Sequence, residues 1–231
     1  MQLPVLARTP DWVVVGKPSG LPVHRSKLVR SGPTLIALAG QQLGVRVDPV
    51  HRLDQPVSGC LLLSLNRKAT YRLQLALAAG QKRYVAMVRG CIPTRDGYLE
   101  TRPLDVDGVS KECETWLRPL ASSVEPRCSL VLAEPHTGRF HQIRRHLRGL
   151  DHPILGDSMH GDTRCNRAWR EGPYGLPRLT LHCLQLTIED EGEVHHITAP
   201  LPDDLRGLFE QMPWWAEAVE ALPALAEEVP A

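Results

Sequence analysis

The sequence predicts an α+β fold. Strand-like and helix-like segments follow one another without a regular β-α-β rhythm, one apolar run has strand length, and helical apolar spacing recurs between turn signals. The first strand is read at about Trp12 to Val15, closed by Lys17-Pro18-Ser19-Gly20. Thr34 reads as the cap of a helix whose apolar residues, Leu35, Leu38 and Leu43, recur at near-helical spacing. Gly59 to Leu65 reads as a central strand covered on both faces. Asn66 reads as the cap of a second helix through Ala69, Leu73 and Leu77, stopped at Gly80. Arg83 to Val88 and Ser129 to Ala133 read as further strands. From Phe140, Ile143, Leu147 and Leu150 recur at helical spacing, which puts His141, Arg144, Arg145 and Arg148 on one face. Leu179 and Leu181 alternate, then Leu184, Leu186 and Ile188 in the opposite phase, so a bulge is expected near His182.

Composition narrows the class. An apolar share of 42% and a charged share of 23% suit a globular domain rather than a disordered chain. No segment approaches the ~18 continuous apolar residues of a membrane span, and Met1-Gln2-Leu3-Pro4-Val5 lacks a secretory signal; a cytoplasmic location is expected. The six cysteines are scattered without a C-x-x-C pair, so neither zinc nor disulfides are expected. The net charge is only +1, but residues 214–231 hold four glutamates and no Lys or Arg. Without them 27 basic residues face 22 acidic ones, a balance compatible with a polyanionic partner. The domain reading is one body over residues 1–213 and an acidic tail over 214–231 that frays from Glu217.

The densest constellation is His51-Arg52-Leu53-Asp54-Gln55-Pro56-Val57-Ser58-Gly59, an acidic turn at the mouth of a buried strand. A turn anchored on a rigid strand is a good platform for a reactive group. Alone, Asp54 would read as an Asx-turn former. It is accompanied by Val15-Gly16-Lys17-Pro18-Ser19-Gly20-Leu21-Pro22-Val23-His24, Lys82-Arg83-Tyr84, Thr137-Gly138-Arg139-Phe140-His141-Gln142-Ile143-Arg144-Arg145-His146-Leu147, His152-Pro153-Ile154-Leu155-Gly156-Asp157 and Arg178-Leu179-Thr180-Leu181-His182. In this order the six resemble HRLDxxTSG, NKPSGLxVH, KxY, TGRxHQIRxHL, HPILGD and RLxLH of the ribosomal large subunit and transfer RNA family of pseudouridine synthases. Val57 and Phe140 depart from the pattern, each standing where the family commonly has Thr.

The resemblance implies a pseudouridine synthase fold: a mixed, largely antiparallel sheet flanked by helices and loops around an RNA-binding cleft; the motifs begin almost at residue 1, so the N-terminal S4 domain of some members is not expected. It implies an isomerase that needs no metal or cofactor and that flips a uridine out of the stack. Matched residue by residue, Asp54 is the nucleophile, Arg144 the cation that keeps it ionised, and Tyr84 the aromatic that packs on the base and takes the C5 proton. Arg52 would fill the gap left by the flipped base. Arg139, Arg145, Arg148, Arg164 and Arg167 would contact RNA, while His141, His146 and His182 read as structural. The run Gly156-Asp157-Ser158-Met159-His160-Gly161-Asp162-Thr163-Arg164-Cys165-Asn166-Arg167 resembles the family members that modify uridine 65 in the T-arm stem of transfer RNA. The expected partner is therefore transfer RNA, with a ribosomal RNA stem-loop or a non-catalytic RNA binder as alternatives, and the expected state is a monomer.

Overall fold

The computed structural model describes residues 1–25, 31–94 and 96–228. Its strands are β1 (Val5–Arg8), β2 (Trp12–Lys17), β3 (Asp48–Pro49), β4 (Ser58–Ser64), β5 (Gln81–Arg89), β6 (Tyr98–Glu100), β7 (Leu104–Val106), β8 (Val109–Lys111), β9 (Thr115–Ser123), β10 (Cys128–Pro135), β11 (Leu181–Asp190) and β12 (Glu193–Thr198). The helices are α1 (Leu35–Leu43), α2 (Thr70–Ala79), α3 (Gln142–Gly149), α4 (Thr163–Glu171), α5 (Asp203–Phe209) and α6 (Trp215–Ala221), followed by a 3-10 turn, Pro223–Ala226. The fold is α+β, as expected. The chain divides into two compact units, Met1–Lys82 with Cys183–Ala199, and Arg83–His182 with Pro200–Ala231.

In the first unit the strand order is β1-β2-β4-β11, with β3 beside β4 and β12 beside β11. All seven residues of β4 are buried, which is why its sequence is an apolar run and not an alternation. Val13, Val14, Val15, Leu61, Leu62 and Leu63 are each at most 1% exposed, and full burial of such a side chain contributes roughly 1.5–3 kcal/mol. The Thr34 hydroxyl accepts from the Ala37 N–H at 3.4 Å, and Gly44 ends α1 at φ 69°. Asn66 does not cap α2: its Oδ1 accepts from the Lys68 N–H at 3.1 Å, closing a turn, and the helix starts at Thr70. Gly80 follows the end of α2 with extended backbone, and glycine is required there because a Cβ would lie 2.1 Å from the Thr187 carbonyl oxygen.

In the second unit the order is β5-β10-β9-β6, all antiparallel, with β7 and β8 a separate hairpin. The register of β9 against β10 slips between Leu130 and Val131, beside Pro119, which has no N–H to give the ladder. Helix α3 begins at Gln142 rather than Phe140, because His141 takes a left-handed φ of 54°. The expected common face is also divided: Arg144 is buried, Arg145 half-buried and Arg148 exposed. Within the described residues the acidic tail forms α6 and the 3-10 turn and buries apolar side chains. Trp214 (2% exposed), Ala218 and Leu225 (0% each) are buried, the Trp214 indole donates to Cys128 Sγ at 3.3 Å, and Arg118 Nη2 donates to the Ala221 carbonyl at 2.9 Å. The change of phase at His182 coincides with four consecutive buried residues, Leu181 to Leu184. The six cysteines are free thiols, and among the described residues no group of three or more His, Cys, Asp or Glu could hold a metal ion. No described helix is long and apolar enough to cross a membrane.

Candidate active site

In the first unit Asp54 starts a β-turn closed by the Val57 N–H on the Asp54 carbonyl at 3.1 Å. This turn is latched to the segment after β2. Lys17 is 2% exposed, and its ammonium donates to the carbonyls of Pro18 (2.9 Å), Gln55 (2.9 Å) and Val57 (2.7 Å). A lysine is stable there because the carbonyl oxygens replace the water it lost. The Gly20 N–H donates to the Gln55 carbonyl (2.8 Å), Gln55 Nε2 to the Gly20 carbonyl (3.0 Å), and Ser19 Oγ to the Pro56 carbonyl (2.8 Å). Every carbonyl from Gln55 to Val57 is thereby engaged, and Asp54 sits half-buried on a fixed backbone, with Leu53 buried before it and Arg52 exposed. Gly59 closes the motif at φ 115°, and a Cβ there would stand 2.2 Å from the Cys183 carbonyl oxygen.

His51 has a structural part. Its Nε2 accepts from the Leu62 N–H at 3.1 Å, extending the pairing of β3 with β4. Burial, reinforced by the Lys82 ammonium, lowers its pKa to about 3, so the ring is neutral with its proton on Nδ1.

The second unit holds the remaining expected site residues. Tyr84 is 7% exposed on β5, opposite Ala133 of β10. Arg144 is 3% exposed, and its Nε and Nη2 donate to the two oxygens of Asp157, both at 2.8 Å. This bidentate fork fixes the guanidinium plane. Asp157 also accepts from the N–H groups of Met159 and His160, each at 2.9 Å. Burial would raise its pKa, but the bond from Arg144 and the two backbone bonds hold the carboxyl below its usual range. Asn166 of α4 pins the same loop, accepting from the Gly156 N–H at 2.8 Å and donating to the Asp157 carbonyl at 2.9 Å. Gly161 is required, since a Cβ would meet that carbonyl oxygen at 2.1 Å.

Other expected RNA contacts have structural partners. Arg139 Nε donates to the Glu112 carbonyl (3.2 Å) and Arg145 Nη1 to the Asp105 carbonyl (2.8 Å), so both hold the segment of the β7–β8 hairpin. Gln142 uses its full amide: Oε1 accepts from Thr137 Oγ1 and the Arg139 N–H, while Nε2 donates to the Glu114 carbonyl and Thr115 Oγ1. His146 is buried against Cys113, Thr115 and the Arg102 carbonyl, and burial lowers its pKa, consistent with a structural neutral ring. Arg148, Arg164 and Arg167 are exposed, the last paired with Glu171 at 3.1 Å. Sequence reasoning assigned no role to Lys17, Gln142, Asp157 or Asn166, although all four stand inside its motifs; for Lys17 and Asp157 the signal was a polar residue beside glycine or proline.

The chain resembles known proteins in sequence and in fold. A family profile described as RNA pseudouridylate synthase matches residues 11–148. A protein of Pasteurella multocida named tRNA pseudouridine synthase C is 38% identical over 210 residues, covering 80% of this chain and 85% of its own. One of the same name from Haemophilus ducreyi is 34% identical over 238 residues, covering 93% and 97%. Among solved structures, Human RNA Pseudouridylate Synthase Domain Containing 1 superposes with a TM-score of 0.71 at 25% identity, covering 100% of this chain and 97% of its own. Human RNA Pseudouridylate Synthase Domain Containing 4 shares the fold at a TM-score of 0.68 and 22% identity, covering 99% and 95%.

Proposed function

The chain belongs to the RNA pseudouridylate synthase family, and we propose that it acts on transfer RNA, converting uridine 65 of the T-arm stem to pseudouridine with Asp54 as nucleophile. The reaction is an isomerisation. The N1–C1′ bond of a uridine breaks, the base turns, C5 joins C1′, and the hydrogen on C5 leaves to solvent while N1 gains one. Asp54 attacks the nucleotide and Tyr84 accepts the C5 proton, while Arg144, its guanidinium fixed by Asp157, is assigned to the same reaction. Arg52 occupies the stack vacated by the extruded uridine, and Arg148, Arg164 and Arg167 bind phosphates, which position RNA without reading its sequence.

The observation that carries the reading is the latched turn. Lys17, Ser19 and Gly20 hold the backbone on either side of Asp54, which is the preorganisation a nucleophile needs. For the RNA, the support is the name shared by the bacterial relatives at 34–38% identity and the run from Gly156 to Arg167 that Asn166 folds around Asp157.

The test is to incubate the protein with unmodified transfer RNA and with ribosomal RNA transcripts, then locate pseudouridine by carbodiimide adducts that stop reverse transcription. A stop at position 65 of transfer RNA is the expected result. A stop only in ribosomal RNA overturns the substrate, and no stop in either overturns the activity.

A further inference from the structure

We propose that the exposed face of Phe140 is a stacking platform for an unpaired base of the bound RNA. The inference rests on the RNA substrate proposed above and adds a contact that the motif pattern does not carry, since Phe140 departs from that pattern.

A single exposed phenylalanine is ordinary on a protein surface. Phe140, 59% exposed, is different because one of its faces is already backed. Its ring centroid lies 3.6 Å from that of the His141 imidazole, with the planes 22° apart. His141 is itself 9% exposed, and its ring meets the edge of His160 at 5.0 Å and 83°, with Nδ1 and Nε2 2.8 Å apart. The backbone of His160 is anchored in turn on the Asp157 carboxylate at 2.9 Å. The outer ring is thus immobilised through two further rings while most of its surface meets solvent.

The backbone is shaped for this stack. Successive side chains diverge on a strand and on a helix, so two neighbouring rings lie parallel only where the chain turns sharply between them. His141 supplies the turn with φ 54°, a left-handed conformation that a non-glycine residue adopts at a cost. Gln142, with its amide fully bonded, holds the loop that leads into it.

The chemistry of the occupant follows from the ring and its surroundings. A flat apolar face takes a flat π-system. Residues 136–141 include His136, Arg139 and no Asp or Glu, and Arg145 and Arg148 follow on α3, so an anionic partner is favoured over a cationic one. Unpaired RNA bases commonly stack on phenylalanine, and such stacking tolerates any base because each presents a π-face.

Dissociation constants for a transfer RNA transcript, measured across a salt series for the wild-type protein and for Phe140→Ala, Phe140→Leu and Phe140→Trp, test the proposal. Phe140→Ala should weaken binding about 5- to 150-fold, the range observed for removing one stacked base. Phe140→Trp should bind at least as well as wild type, and Phe140→Leu should recover little, having bulk without a π-face. The dependence of affinity on salt should keep its slope in every variant, because no phosphate contact is lost. Melting temperatures should match wild type, as the side chain is exposed. Wild-type affinity in Phe140→Ala, full affinity in Phe140→Leu, or a shallower salt slope in Phe140→Ala would each overturn the platform while leaving the enzyme reading intact. A wild-type protein that binds no RNA would overturn both.

Discussion

Replacing Lys17 with Met should unfasten the Asp54 turn while leaving the apolar stem of the side chain in place. The ammonium makes three bonds, to Pro18, Gln55 and Val57, at 2.7–2.9 Å. A hydrogen bond to a charged group contributes about 1.5–3 kcal/mol. Gln55 keeps the Gly20 N–H as a donor, so the loss falls on the carbonyls of Pro18 and Val57 and amounts to about 3–6 kcal/mol. Those figures are already net of the lost hydration, so the expectation is a loss of about 3–6 kcal/mol, which for a chain of this size lowers Tm by roughly 6–24 °C. Activity should fall further than stability explains, because a reactive group displaced by about 1 Å can cost on the order of 100-fold in rate. Lys17→Arg should not restore it, since a planar guanidinium fork does not match three converging carbonyls. Thermal melts followed by circular dichroism, with single-turnover pseudouridine formation below the melting range, read both effects. A Lys17→Met protein that melts within about 2 °C of wild type and turns over normally would refute the latch.

Two further substitutions probe the buried charges. Asp157→Asn should destabilise the second unit by about 3 kcal/mol, because removing one partner of a buried ion pair leaves the other uncompensated; it should lower kcat more than it raises KM, and urea midpoints equal to wild type would contradict this. The folded pKa of His51, about 3, lies below the unfolded value of 6.5, so its contribution is complete above pH ~6.5 and is lost as pH falls toward 3. Stability should fall by roughly 1.4 kcal/mol per pH unit from this group between pH ~6.5 and ~4. In His51→Gln, which keeps an acceptor for the Leu62 N–H but cannot titrate, urea unfolding across that range should show a slope smaller by one proton, and an unchanged slope would sink the assignment.

What the sequence disclosed follows from where each residue finds its partners. Strand β4 was legible because burial on both faces leaves an apolar run, and α1 because Thr34 marks its start locally. The start of α2 was misplaced because Asn66 spends its side chain on a turn, and that of α3 because His141 leaves helical geometry. The docking of the tail was not legible because its glutamates dominate the composition, while Trp214, Leu222 and Leu225, all at most 7% exposed, supply its buried apolar surface. Asp54, Tyr84 and Arg144 could be singled out from motif resemblance. Lys17 and Asp157 could not be given roles, since a buried polar side chain is intelligible only once the carbonyls or the guanidinium that satisfy it are in place.

The central claim is that Asp54 performs pseudouridine chemistry on RNA. Its most direct test is tritium release from transfer RNA labelled at C5 of uridine, comparing wild type with Asp54→Asn, because joining C5 to C1′ expels that hydrogen. Stoichiometric release by wild type, with release by Asp54→Asn at the level of a protein-free blank and its fold intact, is the predicted result. Release by Asp54→Asn at the wild-type rate would contradict the account.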